Sequence, residues 1–236
     1  MRKSPFLVFF ECWAICLGIF ALVACSDNGV GAEEFNAATV CPQSGRGTFV
    51  DERDGQVYKF TTIGDQVWMA ENLNYSFSKL AVLEPDSGKP VTPIVKCYDN
   101  DEDCSGIGRL YNWYAAYYAC PNGWHLPSET EWLSLINSMG GNENANARLR
   151  TKTGWKILNR DENPNGTDDC DFSLAPVKSS LLDTADSKYE LFVWTSTSHY
   201  DRGRKLYADF ISYRKDVVFN SADRFSDNMT VRCLKD

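Results

Sequence analysis

Histidine is nearly absent. The 236-residue chain has two, His125 and His199, which leaves little material for imidazole-rich metal centres and few general bases. Basic blocks are missing too. The formal net charge is −8, from 24 Lys and Arg against 32 Asp and Glu, and without a run of cations to neutralise a phosphate backbone a nucleic-acid partner is not expected. The sequence has no Gly-x-Ser-x-Gly elbow, so the serine nucleophile of that motif is not signalled. A bilayer-spanning stretch is also lacking. The apolar run from Pro5 to Ala24 is interrupted by Glu11, and what remains, Cys12 to Ala24, falls short of the about 20 residues that a spanning helix needs.

Cysteine and aromatics, by contrast, are well supplied. Nine cysteines and an aromatic share of 13% with 43% hydrophobic residues describe a globular chain able to bury a core. Arg2 and Lys3 precede the apolar run, and Leu22-Val23-Ala24-Cys25 resembles a bacterial lipobox. The resemblance implies that residues 1–24 are a signal peptide and that lipid is attached at Cys25, giving a membrane partner through the N-terminal anchor. Ser26 in place of an Asp implies, by similarity to known sorting, an outer-membrane lipoprotein, displayed at the cell surface. Loss of residues 1–24 removes Cys12 and Cys16, and the lipid takes Cys25. Six cysteines remain: Cys41, Cys97, Cys104, Cys120, Cys170 and Cys233. An even number in an exported chain reads as three disulfides, with many connectivities open. The rival, a structural zinc site, lacks the close cysteine spacing it requires.

Residues 25–47 are small and polar with no period and read as a lipidated tether; a single domain is expected over residues 48–236. From Thr48 to Leu73 apolar and polar positions alternate around Asp54-Gly55 and Gly64-Asp65, which predicts two hairpins. Residues 75–107 read as a long loop with one strand near Pro93 to Tyr98. In "RLYNWYAAYYAC", Leu110, Trp113, Tyr114, Tyr117 and Cys120 recur at helical steps, and Pro121-Asn122-Gly123 ends the element. Ser128 and Glu131 have the spacing of a capping box, followed by an apolar stripe of Trp132, Leu135, Ile136 and Met139 that Gly140-Gly141 terminates. A third helix is expected over Glu143 to Thr151. Beyond Phe172 the pattern is strands and turns, in "LFVWTSTS", "KLYADFISY", "DVVFN" and "MTVRCLKD".

Five blocks, "DGQVYKFTTIGDQVWMAENLNY", "IGRLYNWYAAYYACPNGWHLPSETEWLSLI", "NGTDDCDFSLAP", "FVWTSTS" and "MTVRCLKD", resemble, in order, the Fibrobacter succinogenes major paralogous domain. That family resembles the C-type-lectin-like and formylglycine-generating-enzyme superfold, with "LPSETEW" in place of a Leu-Pro-Thr-Glu-x-Glu-Trp block. The fold implied is α+β: a C-type-lectin-like domain of two main helices on antiparallel hairpins and twisted sheets, stapled by disulfides. This chain departs from the family at Cys170, where an aromatic is usual, and the loop from Cys97 to Cys104 is a local addition. The lectin-like comparison links a Trp-x-x-Ala-x-x-x-Cys helix, here Trp113, Ala116 and Cys120, to a cysteine of the last strand, implying Cys120–Cys233. Cys97 and Cys104 are near enough to close a small loop, which leaves Cys41 for Cys170.

Candidate chemistry is sparse. His125 needs a partner to act as a base, and Glu129 or Glu131 is within reach in sequence; since Glu131 belongs to a cap, the segment reads as structural and no catalytic residue is assigned. The formylglycine-generating branch uses a reactive pair of late cysteines, whereas only Cys233 stands in that region. "DENPNG" has the front half of a calcium loop, nominating Asp161, Asn163, Asn165 and Asp169 for calcium, although Phe172 occupies the position of the bidentate glutamate. Ligand contacts are expected from the late loops, where Tyr200, Arg202, Arg204, Tyr213, Arg214 and Arg224 could stack on sugars or pair with acidic groups. The expected function is a non-catalytic, lipid-anchored surface binding or adhesion module for polysaccharide or a surface protein. The alternatives are an enzyme, of the formylglycine-generating type or a divergent hydrolase, and a purely structural envelope protein.

Overall fold

Two turns fold the first three strands back on one another. Strand β1 (Arg46–Val50) pairs antiparallel with β2 (Val57–Ile63), and β2 with β3 (Gln66–Met69). Gly55 and Gly64 hold the turns at φ 78° and 57°, a region where a side chain is strained and glycine is not. In the first turn the Asp51 carboxylate accepts from the Arg53 backbone N–H and guanidinium at 2.6–3.1 Å. Both hairpins stand where the Asp-Gly and Gly-Asp pairs predict them. This computed structural model describes residues 35–76, 79–98, 104, 106–156, 163–176, 190–199, 204–211, 214–222 and 227–236.

The fold begins earlier than its polar composition suggests. Residues up to 47, read as a tether, include helix α1 (Ala37–Val40), capped by the Asn36 side chain on the Ala38 N–H, and a 3-10 turn at Gln43–Gly45. The compact unit spans Glu34–Asp236. Cys41 explains the difference. It is cross-linked to Cys170, and the Gly64 N–H donates to the Val40 carbonyl, so a stretch with almost no apolar pattern is fastened from outside itself.

The stretch from 75 to 107 holds more than the one strand expected there. β4 (Val82–Leu83) and β5 (Pro90–Val91) form a small hairpin, and β6 (Val95–Lys96) pairs with β7 (Leu110–Tyr111). Helix α2 (Trp113–Ala119) is shorter than its spacing implies. Asn112 caps it, accepting from the Ala115 N–H at 3.0 Å, and its side chain also ties down Ile94 and Thr92. Leu110 therefore lies on β7, and Tyr117, assigned to the apolar face, is 39% exposed. After β8 (Trp124–His125) comes α3 (Glu129–Ser138), with the complete capping box of Ser128 and Glu131. Trp132, Leu135, Ile136 and Met139 are all buried. α4 (Asn142–Leu149) follows, and then β9 (Glu190–His199), β10 (Arg204–Ile211), β11 (Val218–Ala222) and β12 (Leu234–Lys235).

The class is α+β. One sheet has the order β1-β2-β3-β12-β8, so the last strand is inserted between β3 and β8; a second has the order β11-β10-β9. Apolar side chains between helices and sheets form two clusters. The first is centred on Trp68, Trp132 and Phe172, whose ring centroids lie 4.7–6.1 Å apart. The second gathers Trp113, Trp194, Tyr111, Met229 and Val231. Both indoles of this second cluster are satisfied, Trp194 by the Tyr111 carbonyl at 2.7 Å and Trp113 by the Thr195 carbonyl at 2.8 Å, as desolvated N–H groups require. Three disulfides, Cys41–Cys170, Cys97–Cys104 and Cys120–Cys233, staple the fold with Cα atoms 5.0–5.8 Å apart.

Candidate functional site

Between the β2–β3 hairpin and segments 106–108 and 171–175 lies a cleft of about 660 Å³. Among its lining residues is Arg232, a cation only 1% exposed. Its Nε donates to Asn72 Oδ1 at 2.7 Å, Nη1 to the Phe172 and Met69 carbonyls at 2.6 and 3.2 Å, and Nη2 to the Ser173 carbonyl at 3.0 Å. Burial pushes its pKa down to about 9 against the opposing pull of Asp168 and Glu71, so it remains a cation at neutral pH. The guanidinium also lies over the Phe172 ring, 5.0 Å from its centroid.

The loop that supplies two of those carbonyls is bent for the purpose. Asp168, Asp171 and Ser173 have φ of 47°, 51° and 55°, a region costly for residues with a Cβ. The Asp168 carboxylate offsets part of that cost by accepting from the Ser173 N–H and hydroxyl, each at 2.8 Å. At the rim, Glu71 accepts from the Lys59 N–H at 2.8 Å and pairs with its ammonium at 3.5 Å, and Asp171 pairs with Arg46. The lining thus mixes amides (Gln56, Asn72), hydroxyls (Thr151, Ser173) and charged groups with apolar side chains (Val57, Ala70, Ile107, Ala175). Such a surface suits a ligand rich in hydroxyls, each of which donates and accepts. The described lining contains no histidine, and its cysteine, Cys104, is cross-linked.

His125 sits elsewhere, at the junction of β8 and α3. Its Nδ1 lies 2.6 Å from Asp236 Oδ1 and its Nε2 3.0 Å from Glu131 Oε1. Burial works against its charge, but the hydrogen bonds to Asp236 and Glu131 outweigh it and raise the pKa above the usual histidine value. Both nitrogens face carboxylates, so the ring is held as a double donor and presents no lone pair to a substrate. Glu131 also accepts from the Ser128 N–H and hydroxyl. Burial would raise its pKa, yet the bonds from Ser128 and His125 hold it below the usual value. Histidine and cap form one structural network.

The late-loop nominees are divided. Tyr200, Arg202, Tyr213 and Arg224 lie outside the described residues, as does the lipidation candidate Cys25. Arg204 opens β10 opposite His199. Arg214 is near the carboxylate of Asp209, 3.7 Å away, so its charge is directed at the chain's own acid. Asp209 was not apparent from sequence: it is 4% exposed, and burial, followed by the neighbouring Glu190, pushes its carboxyl up to about 7.

Of the four calcium nominees, Asn163, Asn165 and Asp169 are described, and each is engaged within the chain. Asn163 Oδ1 accepts from the Asn165 N–H and side-chain amide, Asn165 Oδ1 accepts from the Trp155 N–H, and Asp169 faces Arg148 at 3.6 Å. The two asparagine oxygens accept hydrogen bonds within the chain, and Phe172 at the glutamate position is wholly buried. Asp161 lies outside the described residues, among which no group of three His, Cys, Asp or Glu side chains is placed to hold a metal ion.

Residues 61–235 match the family model described as the Fibrobacter succinogenes major domain. No curated protein and no solved structure matches the chain.

Proposed function

The chain belongs to the Fibrobacter succinogenes major domain family, and on that premise we propose that it is a non-catalytic binding module, anchored by lipid at Cys25 to the bacterial outer membrane and displayed at the cell surface, with polysaccharide as its ligand. The observation that carries this reading is the cleft: a surface of amides, hydroxyls and paired charges built around a buried arginine. Export accords with the lipobox-like Leu22 to Cys25 and with three disulfides, which persist in oxidising compartments. We read the frame as C-type-lectin-like. The bridge from Cys120, after α2, to Cys233, beside the last strand, supports that reading.

The test is a glycan array together with a pull-down of the mature chain on insoluble polysaccharides, with calcium and with chelator. Retention competed by a soluble fragment of the same polysaccharide is expected; absence from both assays contradicts the carbohydrate role. Metabolic labelling with a fatty acid should mark the wild type and not Cys25→Ser. Titration of thiols bears on the oxidase alternative: with all six cysteines of the folded part cross-linked, none is expected to react, and a reactive thiol would favour an enzyme.

A further inference from the structure

The tripeptide Pro-Asn-Gly occurs twice, at Pro121-Asn122-Gly123 and Pro164-Asn165-Gly166. An asparagine before glycine is open to attack on its own side-chain amide, because glycine has no Cβ to shield its backbone nitrogen or restrict its rotation. The two copies stand in opposite surroundings. Asn165 is locked: its Oδ1 accepts from the Trp155 N–H at 3.1 Å, and its Nδ2 donates to Asn163 Oδ1 at 2.9 Å. The Gly166 N–H donates to the Thr151 carbonyl at 2.9 Å, and a Cβ on Gly166 would lie 2.1 Å from the Arg150 carbonyl oxygen. Asn122 and Gly123 are both exposed, and a Cβ on Gly123 would meet nothing within 4 Å. Among the described residues the Asn122 side chain, the Asn122 carbonyl and the Gly123 N–H have no hydrogen-bond partner. The turn is held by the Trp124 N–H on the Pro121 carbonyl and the Asp236 N–H on the Gly123 carbonyl, each at 3.0 Å. Neither bond uses the carbonyl or the N–H of the peptide between 122 and 123. That peptide can rotate until its nitrogen faces Asn122 Cγ without breaking either one.

We propose that Asn122 is a site of spontaneous covalent modification, converting to isoaspartate or aspartate while Asn165 in the same folded chain stays intact. The Gly123 amide nitrogen gives its proton to solvent and bonds to Asn122 Cγ. The Cγ–Nδ2 bond breaks and that nitrogen leaves as ammonia. Water then opens the cyclic imide at one of its two carbonyls, giving aspartate or an isoaspartate whose main chain runs through Cβ. Water is the sole co-reactant. The product bears on the fold. Isoaspartate lengthens the turn by one carbon and adds a carboxylate just before Trp124 and His125, which pair with Lys235 and Leu234 of β12. The Asp236–Gly123 bond and the contact of His125 with Asp236 close that same end of the sheet, so the modification loosens residues 234–236.

The test is peptide mapping by mass spectrometry of the folded full chain, sampled during incubation in mildly alkaline buffer, beside the same chain incubated reduced and in denaturant. In the folded chain Asn122 is expected to convert at least about tenfold faster than Asn165. That ratio equals about 1.4 kcal/mol of barrier, a size that the hydrogen bonds Asn165 and Gly166 must surrender can supply. In the unfolded chain the two rates should converge, since the tripeptides are identical. Equal rates in the folded chain, or an Asn122 that stays intact there while converting in denaturant, overturn the proposal. A gap that persists in denaturant overturns its structural cause. Asn122→Gln, whose longer side chain forms the cyclic imide far less readily, is expected to keep its melting temperature through the incubation while that of the wild type falls. A wild type converted at Asn122 with an unchanged melting temperature overturns the loosening of residues 234–236.

Discussion

His125 donates from both edges of its ring, to Asp236 and to Glu131, and its folded-state pKa is raised. A group with a raised pKa contributes stability that is complete below its unfolded value, 6.5 here, and is lost as pH rises through the folded value. His125→Gln should therefore destabilise by about 0.5–1 kcal/mol at about pH 5.5, a range set by the partial exposure of the partners, and by almost nothing at about pH 9. Thermal melts across pH check this; an equal loss at both ends contradicts the ionic role. Asp209 has the opposite sense. Its carboxyl rises from 3.8 to about 7, so the native state holds the proton more tightly than the unfolded chain, and stability falls as pH climbs through that window. Asp209→Asn is expected to be more stable than wild type at about pH 8, by on the order of 2 kcal/mol, and equal to it at about pH 4. Urea midpoints at the two pH values decide.

At the level of elements, α3 is the part most plainly written in the sequence. Its cap, apolar stripe and glycine stop are local, and each appears in the structure as read. Ser128→Ala should cost about 1 kcal/mol by chemical denaturation, and more if the displaced Glu131 also loosens His125; a change within error would show that the cap is redundant. α2 was harder to read. Tyrosine counts as apolar in a periodic pattern, yet its hydroxyl allows the ring to sit half in water, and Tyr117 does so. α1 had no pattern of its own, since a distant cysteine fixes it. Arg232 was illegible for a related reason. In an alternating terminal segment an arginine between Val231 and Cys233 reads as facing solvent, whereas its partners, Phe172 and Asn72, are 60 and 160 residues away in the chain. Local sequence carries no trace of such contacts.

For the whole molecule, the disulfides set the scale of stability. Cys41–Cys170 and Cys120–Cys233 close spans of 129 and 113 residues, Cys97–Cys104 a span of 7. In the chain-entropy description the long loops are each worth about 4–5 kcal/mol and the short one about 2. Replacing both Cys120 and Cys233 with serine should lower the denaturation midpoint far more than the same change at Cys97 and Cys104; equal effects would contradict the entropic account. The central claim is that recognition occurs at the cleft around Arg232, on a framework these bridges hold rigid. Its most direct measurement is hydrogen–deuterium exchange of the full chain with and without an oligosaccharide that it retains. The account predicts new protection in residues 56–59, 71–74 and 106–108, with little change elsewhere. Protection confined to residues 200–228 would place the ligand on the late loops and contradict it.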